Sequence, residues 1–294
     1  MDYRTIYNEG TRMLSDLPDG RLDARLLLEE ACGTDVQTLL AHPERPVSQE
    51  EEALYRSFLE RRRKREPVAY ILGHQAFMGL DFSVSPSVLI PNQDTETLAE
   101  EAIRGLKAGD RILDLCTGSG CILLSLLYMC PGTSGTGTDL SRAALAVAEE
   151  NGIRLGMEER AFWKQGDLFE ALHNKREEES LSRIASGLFD LIVSNPPYIR
   201  TEVIETLEPE VKSSEPYMAL DGGRDGLVFY RRIAEKAPAY LKKGGRLLLE
   251  IGYDQGQDVS ELLKKKGFQE IRVIKDYADN DRVVSARLPE TPQK

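Results

Sequence analysis

The stretch Phe189-Asp190-Leu191-Ile192-Val193-Ser194-Asn195-Pro196-Pro197-Tyr198 decides how the rest of the chain is read. Its mostly apolar first part predicts a strand buried in a parallel sheet. Pro196 and Pro197 have no N–H to give to a ladder, so the strand must end there. Asn195 and Pro196 each precede a proline and are pushed toward extended geometry. The resulting turn is stiff, and it holds the Asn195 carboxamide, the Pro196 carbonyl and the Tyr198 ring at the carboxyl edge of the sheet.

Such a turn offers two acceptors, the Asn195 side chain and the Pro196 backbone, which can take both hydrogens of a planar NH2 group. Tyr198 can lie on the face of that plane, and Pro197 stiffens the turn between them. The substrate-binding set is therefore Asn195, Pro196, Pro197 and Tyr198, with Asn195, Pro196 and Tyr198 as the catalytic candidates. Amide and exocyclic amine nitrogens are poor nucleophiles because their lone pair is delocalised. Holding both N–H bonds aims the nitrogen and localises the pair toward an electrophile, which is catalysis by orientation.

Outward from this turn, strands and helices alternate from residue 109 onward, the pattern of an α/β domain with a parallel sheet. The expected strands are 111–116, 136–139, 161–166, 189–194, 245–251, 268–276 and 282–288. The glycines before Asp139 make the second a poor strand former. His173 to Ser186 is charged and polar and reads as a surface insertion. Residues 1–72 show helical spacing only, as in Leu22, Leu26 and Leu27, and read as a small all-helical domain. Asp35 is a helix cap, and Ser48 with Glu51 forms a capping box. Residues 73–91 alternate apolar and polar and read as a β-hairpin linking this domain to residues 92–294. A long helix from about Ser48 ends in the basic run Arg61 to Arg65, which suits the negative helix end and is also a candidate contact for an acidic protein or RNA.

The 294 residues allow one large or two modest domains. Hydrophobic residues are 41% and charged residues 30%, an ordinary globular composition. The net charge of -11 argues against affinity drawn from a nucleic-acid backbone. No run approaches the roughly 18 apolar residues that span a membrane. The N-terminus has no apolar secretory segment. Cys32, Cys116, Cys121 and Cys130 form no C-x-x-C pair, and His42, His74 and His173 have no ligand spacing. The expectation is a cytoplasmic protein with reduced thiols and no metal site.

Leu113-Asp114-Leu115-Cys116-Thr117-Gly118-Ser119-Gly120 closes one strand and opens a helix. Glycines there let backbone approach a ligand closely. Asp139 ends the next strand, where an acid can take ribose hydroxyls, and Asp167 with Leu168 ends the third, where they can meet an adenine. The cofactor-binding set is Cys116, Thr117, Gly118, Ser119, Gly120, Asp139, Asp167, Leu168 and Asn195. A dinucleotide loop needs a third glycine where this chain has Leu123, which disfavours an oxidoreductase.

These spaced features resemble the class I S-adenosylmethionine-dependent methyltransferases. The resemblance narrows to the release factor glutamine methyltransferases, the protein-(glutamine-N5) methyltransferases of the HemK type. It rests on Leu22 to Leu28, Arg65 to Gly73, Val88 to Pro91, Glu215-Pro216, Ala219 to Gly223, Asp225 to Leu227 and Leu249 to Gly252, as well as Asn195 to Tyr198. It implies a Rossmann-like, mostly parallel seven-stranded sheet behind a helical substrate-docking domain. It implies methyl transfer from S-adenosyl-L-methionine to the glutamine of a Gly-Gly-Gln loop in bacterial peptide chain release factors, leaving S-adenosyl-L-homocysteine. A monomer without a stable nucleic-acid partner is expected. The family usually carries Arg-Pro where this chain has Asn92-Gln93. The same acceptor turn also suits an N6-adenine or N2-guanine methyltransferase acting on nucleic acid. A non-enzymatic nucleoside-binding protein is the reading from another class, and it leaves the acceptor turn without a purpose. No general base is evident, and a sulfonium electrophile does not demand one before transfer.

Overall fold

The computed structural model describes residues 1–173 and 188–290, so the stretch expected as a surface insertion, His173 aside, lies outside the described residues. The chain forms two compact units. One is Met1–His74 with Glu208–Ser214, and the other is Gln75–Leu207 with Glu215–Lys294. The expected boundary after residue 72 is close, but Glu208–Ser214 was expected in the second domain and belongs with the first.

The first unit holds α1 (Tyr3–Met13), α2 (Gly20–Ala31), α3 (Val36–Ala41), α4 (Gln49–Arg63) and α5 (Val68–Leu72). Apolar residues at helical spacing meet in one core of Tyr3, Ile6, Ala24, Leu27, Leu28, Tyr55 and Leu59. Tyr55 is fully buried and its hydroxyl donates to the Ala24 carbonyl at 3.0 Å. Asp35 caps α3, and the Ser48–Glu51 capping box opens α4. The basic run is largely consumed within this unit. Arg61 grips both oxygens of Glu66 at 2.8 and 2.6 Å. Arg62 is buried between Asp23 at 2.7 Å and Glu210 at 3.2 Å, and Arg65 also reaches Glu210 at 3.3 Å. Arg62 is therefore structural, since a paired and buried guanidinium has no charge left to offer a partner, while Arg61 and Arg65 are only half-buried and Arg63 and Lys64 are exposed.

The hairpin is shorter than expected. β1 (His74–Phe77) and β2 (Leu80–Ser83) are joined by Met78 and Gly79, both at positive φ. That is the turn chemistry of a two-residue hairpin loop. Residues 84–91, expected as part of it, form a loop instead. α6 (Gln93–Ile103) follows, capped by Asn92, whose side chain accepts the Thr95 N–H.

The second unit is a seven-stranded sheet in the order β5-β4-β3-β6-β7-β9-β8. The strands are β3 (Arg111–Leu115), β4 (Ser134–Asp139), β5 (Ala161–Gln165), β6 (Phe189–Ser194), β7 (Leu241–Glu250), β8 (Gln269–Lys275) and β9 (Asp281–Arg287). The first five in spatial order are parallel, while β9 runs antiparallel to β7 and β8. Between them lie α7 (Cys121–Met129), α8 (Arg142–Arg154) and two later helices, Val228–Lys236 and Gly256–Lys265. Both sheet faces are buried: Leu113, Leu115, Ile192, Leu247 and Leu249 enter one core. Ile112, Leu191, Val193 and Leu248 enter the other. This alternation is why the strands read as continuous apolar runs.

β4 forms although its sequence is a poor strand former. A Cβ on Gly137 would stand 2.5 Å from the Trp163 ring and 2.9 Å from Thr117 Oγ1. The glycine is spent on letting Trp163 and the loop after β3 close over the strand.

Candidate active site

β3 and β6 are parallel neighbours with Leu115 opposite Ser194, so Cys116 and Asn195 leave the sheet side by side. The Ser194 hydroxyl donates to the Leu115 carbonyl at 2.7 Å and ties the two strand ends together. Successive strands run outward from β3 in one direction and from β6 in the other, so this is the switch point of the sheet, where a crevice opens beyond the carboxyl ends.

The loop after β3 curls through three left-handed residues, Cys116 at φ 59°, Gly118 at 57° and Gly120 at 78°. The Thr117 hydroxyl donates to Asp114 at 2.6 Å. Asp114 is fully buried, and burial pushes its carboxyl up to about 7 against the pull of Thr117 and the Leu123 backbone. Asp139 accepts the Gly118 N–H at 3.0 Å and the Ser141 N–H at 2.8 Å, one on each oxygen. Burial raises its pKa against the pull of these backbone donors. Asp167 meets Arg232 at 2.7 Å, and Leu168 beside it is buried at φ 51°.

Cys116, Thr117, Gly118, Ser119, Asp139, Asp167, Leu168, Asn195 and Pro197 all line one pocket. Three expected residues do not line it. Gly120 starts α7 and faces Trp163, whose ring would lie 2.8 Å from an added Cβ. Pro196 is buried in the turn. Tyr198 is anchored through its hydroxyl to Glu250 at 3.3 Å, and its carbonyl accepts from Gln255 at 3.0 Å. The sequence reading missed the loop Ser87 to Asn92, Thr95 and Phe229, which also line the pocket.

Behind the turn lies a polar layer that was also missed. Asn195 Nδ2 donates to Thr95 Oγ1 at 3.2 Å. Glu250 ends β7 fully buried, and burial pushes its carboxyl up to about 7 against the pull of Thr95, Arg282 and Tyr198. Arg282 bridges Asp94 and Asp276, each at 3.0 Å. The signal for Glu250 was present, as an acid directly after the apolar run Leu247 to Leu249. Among the described residues no cluster of His, Cys, Asp or Glu is arranged to hold a metal.

These residues fit S-adenosylmethionine. The curled loop brings backbone within reach of a ligand, an oriented Asp139 carboxylate retains lone pairs for a ribose diol, and Leu168 gives an adenine an apolar face. The fold and site define a class I S-adenosylmethionine-dependent methyltransferase. Residues 5–73 match the model of the PrmC N-terminal domain and residues 93–210 that of the methyltransferase small domain. A release factor glutamine methyltransferase of Agrobacterium fabrum is 42% identical over 92% of this chain and 91% of its own. One of Geobacter sulfurreducens is 43% identical over 92% and 90%. A methyltransferase of Pyrococcus furiosus, 18% identical, shares the fold over 73% of this chain and 91% of its own with a TM-score of 0.51. The chain belongs to the release factor glutamine methyltransferase family.

Proposed function

We propose that this chain transfers a methyl group from S-adenosylmethionine to the side-chain amide nitrogen of the glutamine in the Gly-Gly-Gln loop of peptide chain release factors. The observation that carries the site assignment is the placement of the Asn195 carboxamide in one pocket with the Cys116–Ser119 loop, Asp139 and Asp167.

Bound S-adenosylmethionine supplies an electrophilic methyl carbon on a sulfonium. Asp139 holds the ribose, Cys116 to Ser119 approach with their backbone, and Asp167 with Leu168 receives the base. Asn195 Oδ1 accepts one N–H bond of the glutamine amide and helps fix its nitrogen, and the Pro196 carbonyl, which does not itself line this pocket, is the acceptor proposed for the other. Pro197 and Tyr198 keep the turn rigid, Tyr198 through its bond to Glu250. The helical unit docks the body of the release factor, because a Gly-Gly-Gln loop offers little side-chain surface for selection. A cleft in that unit between Tyr3, Tyr7, Leu22, Leu39 and Leu40 supports this role, with Leu40 77% exposed. A cytoplasmic monomer without a standing nucleic-acid partner accords with the acidic charge and with the absence, among the described residues, of a membrane-length apolar helix.

Incubation with methyl-labelled S-adenosylmethionine and a release factor tests the function. Label enters the native factor and not one whose Gly-Gly-Gln glutamine is replaced. Equal labelling of both would overturn the reading.

A further inference from the structure

A carboxamide is nearly symmetric in shape and opposite in polarity at its two ends. Asn195 serves a substrate NH2 only if its oxygen, not its nitrogen, faces the pocket. The structure decides this through a chain of hydrogen bonds that starts from a donor of fixed identity.

The Thr95 backbone N–H can only donate, and it donates to Asn92 at 3.0 Å, so the atom it meets is the Asn92 oxygen. The Thr95 hydroxyl lies 3.1 Å from that same oxygen and must give it its proton. Thr95 Oγ1 is therefore left with lone pairs toward Asn195, 3.2 Å away, and only the Asn195 NH2 satisfies them. Thr95 is 3% exposed, so water does not compete there.

We infer that Thr95, with its proton held by Asn92, is the positioning residue that turns the Asn195 carboxamide oxygen toward the substrate amide. This inference rests on the assignment of Asn195 as the glutamine acceptor. Rotating the carboxamide would set its oxygen against a second acceptor at Thr95 and present two N–H donors to the glutamine NH2. The same rotated form would welcome a carboxylate. Polarity at one hydroxyl thus selects an amide over an acid in the acceptor pocket, and specificity for glutamine over glutamate follows from it.

The experiment compares Thr95→Val, which keeps the shape and removes the acceptor, with Thr95→Ser, which keeps the hydroxyl. Each is assayed for methyl transfer to native release factor and for inhibition by a factor carrying glutamate in place of the glutamine. Thr95→Val is expected to lower kcat by about tenfold, the cost of a buried N–H left unmatched, with S-adenosylmethionine affinity within about twofold of the parent. It is also expected to bind the glutamate factor relatively better, narrowing the preference for glutamine. Thr95→Ser recovers most of the lost turnover and the preference. Should Thr95→Val fail to fold, Thr95→Ala adds no bulk and makes the same comparison with Thr95→Ser. Unchanged turnover and unchanged preference in the apolar variant overturn the inference. Asn195→Ala is the control for the underlying site. If it remains active, the acceptor assignment itself has failed, whereas loss in Asn195→Ala with a normal Thr95→Val variant sinks only the role of Thr95.

Discussion

Asp139 carries two duties, because the oxygens that face the pocket also accept the Gly118 and Ser141 N–H bonds. Asp139→Ala is expected to weaken S-adenosylmethionine binding by roughly 1.5–3 kcal/mol through the loss of a charged acceptor. Calorimetry that finds unchanged affinity would remove Asp139 from the cofactor site. Glu250 gives a prediction in pH. Its folded-state pKa, about 7, lies above its ordinary value of 4.5. Between these values the folded protein keeps a proton that the unfolded chain releases, so its contribution to stability is lost as pH rises through that window. Glu250→Gln removes the effect. Its stability relative to the parent should rise by up to about 3 kcal/mol between about pH 5 and about pH 8, read from urea midpoints. Parallel pH profiles would show that Glu250 titrates normally. The residues legible from the sequence at this scale were those that end strands in sharp local patterns, such as Asp139 and Asn195. Thr95 was not legible, and the position of Glu250 at the close of an apolar run did not reveal its role, because both roles depend on elements 100 and 55 positions from Asn195 in the chain being brought together.

At the scale of elements, the parallel sheet was readable because burial on both faces leaves no polar alternation to mistake for anything else. β4 was the weak point, and its glycines prove to answer to the neighbours rather than to the strand. Gly137→Ala should cost about 1–3 kcal/mol, since Trp163 and Thr117 must both move to admit a methyl group. A thermal midpoint equal to the parent's would mean that the ring shifts freely. The hairpin was read too long for a different reason. The apolar residues Val88 and Ile90 alternate as in a strand, but Pro86 and Pro91 deny the segment a ladder, and it lines the pocket instead. Asn92, which departs from the family pattern, is the cap of α6.

For the molecule as a whole, the helical unit is the proposed source of substrate selection. Deleting residues 1–72 is expected to leave S-adenosylmethionine affinity largely intact and to raise the Michaelis constant for whole release factor. Turnover of a short Gly-Gly-Gln peptide is expected to change little on the same deletion. Efficient methylation of whole factor by the truncated enzyme would show the unit to be a structural cap. Within the basic run Arg62 is buried between Asp23 and Glu210, so the candidates for the docking face are Arg61, Arg63, Lys64 and Arg65.

Glu210 comes from the far half of the sequence, in a segment that returns to complete the helical unit. The polypeptide therefore passes between the two units three times rather than once. Anyone grafting the helical unit of one family member onto the catalytic unit of another must transplant residues 208–214 along with 1–74, or Arg62 inherits a stranger's side chain. By the same logic a single nick after residue 74 leaves residues 208–214 on the catalytic fragment, so that residues 1–74 are then held only by non-covalent packing on that segment, the Arg62–Glu210 pair included.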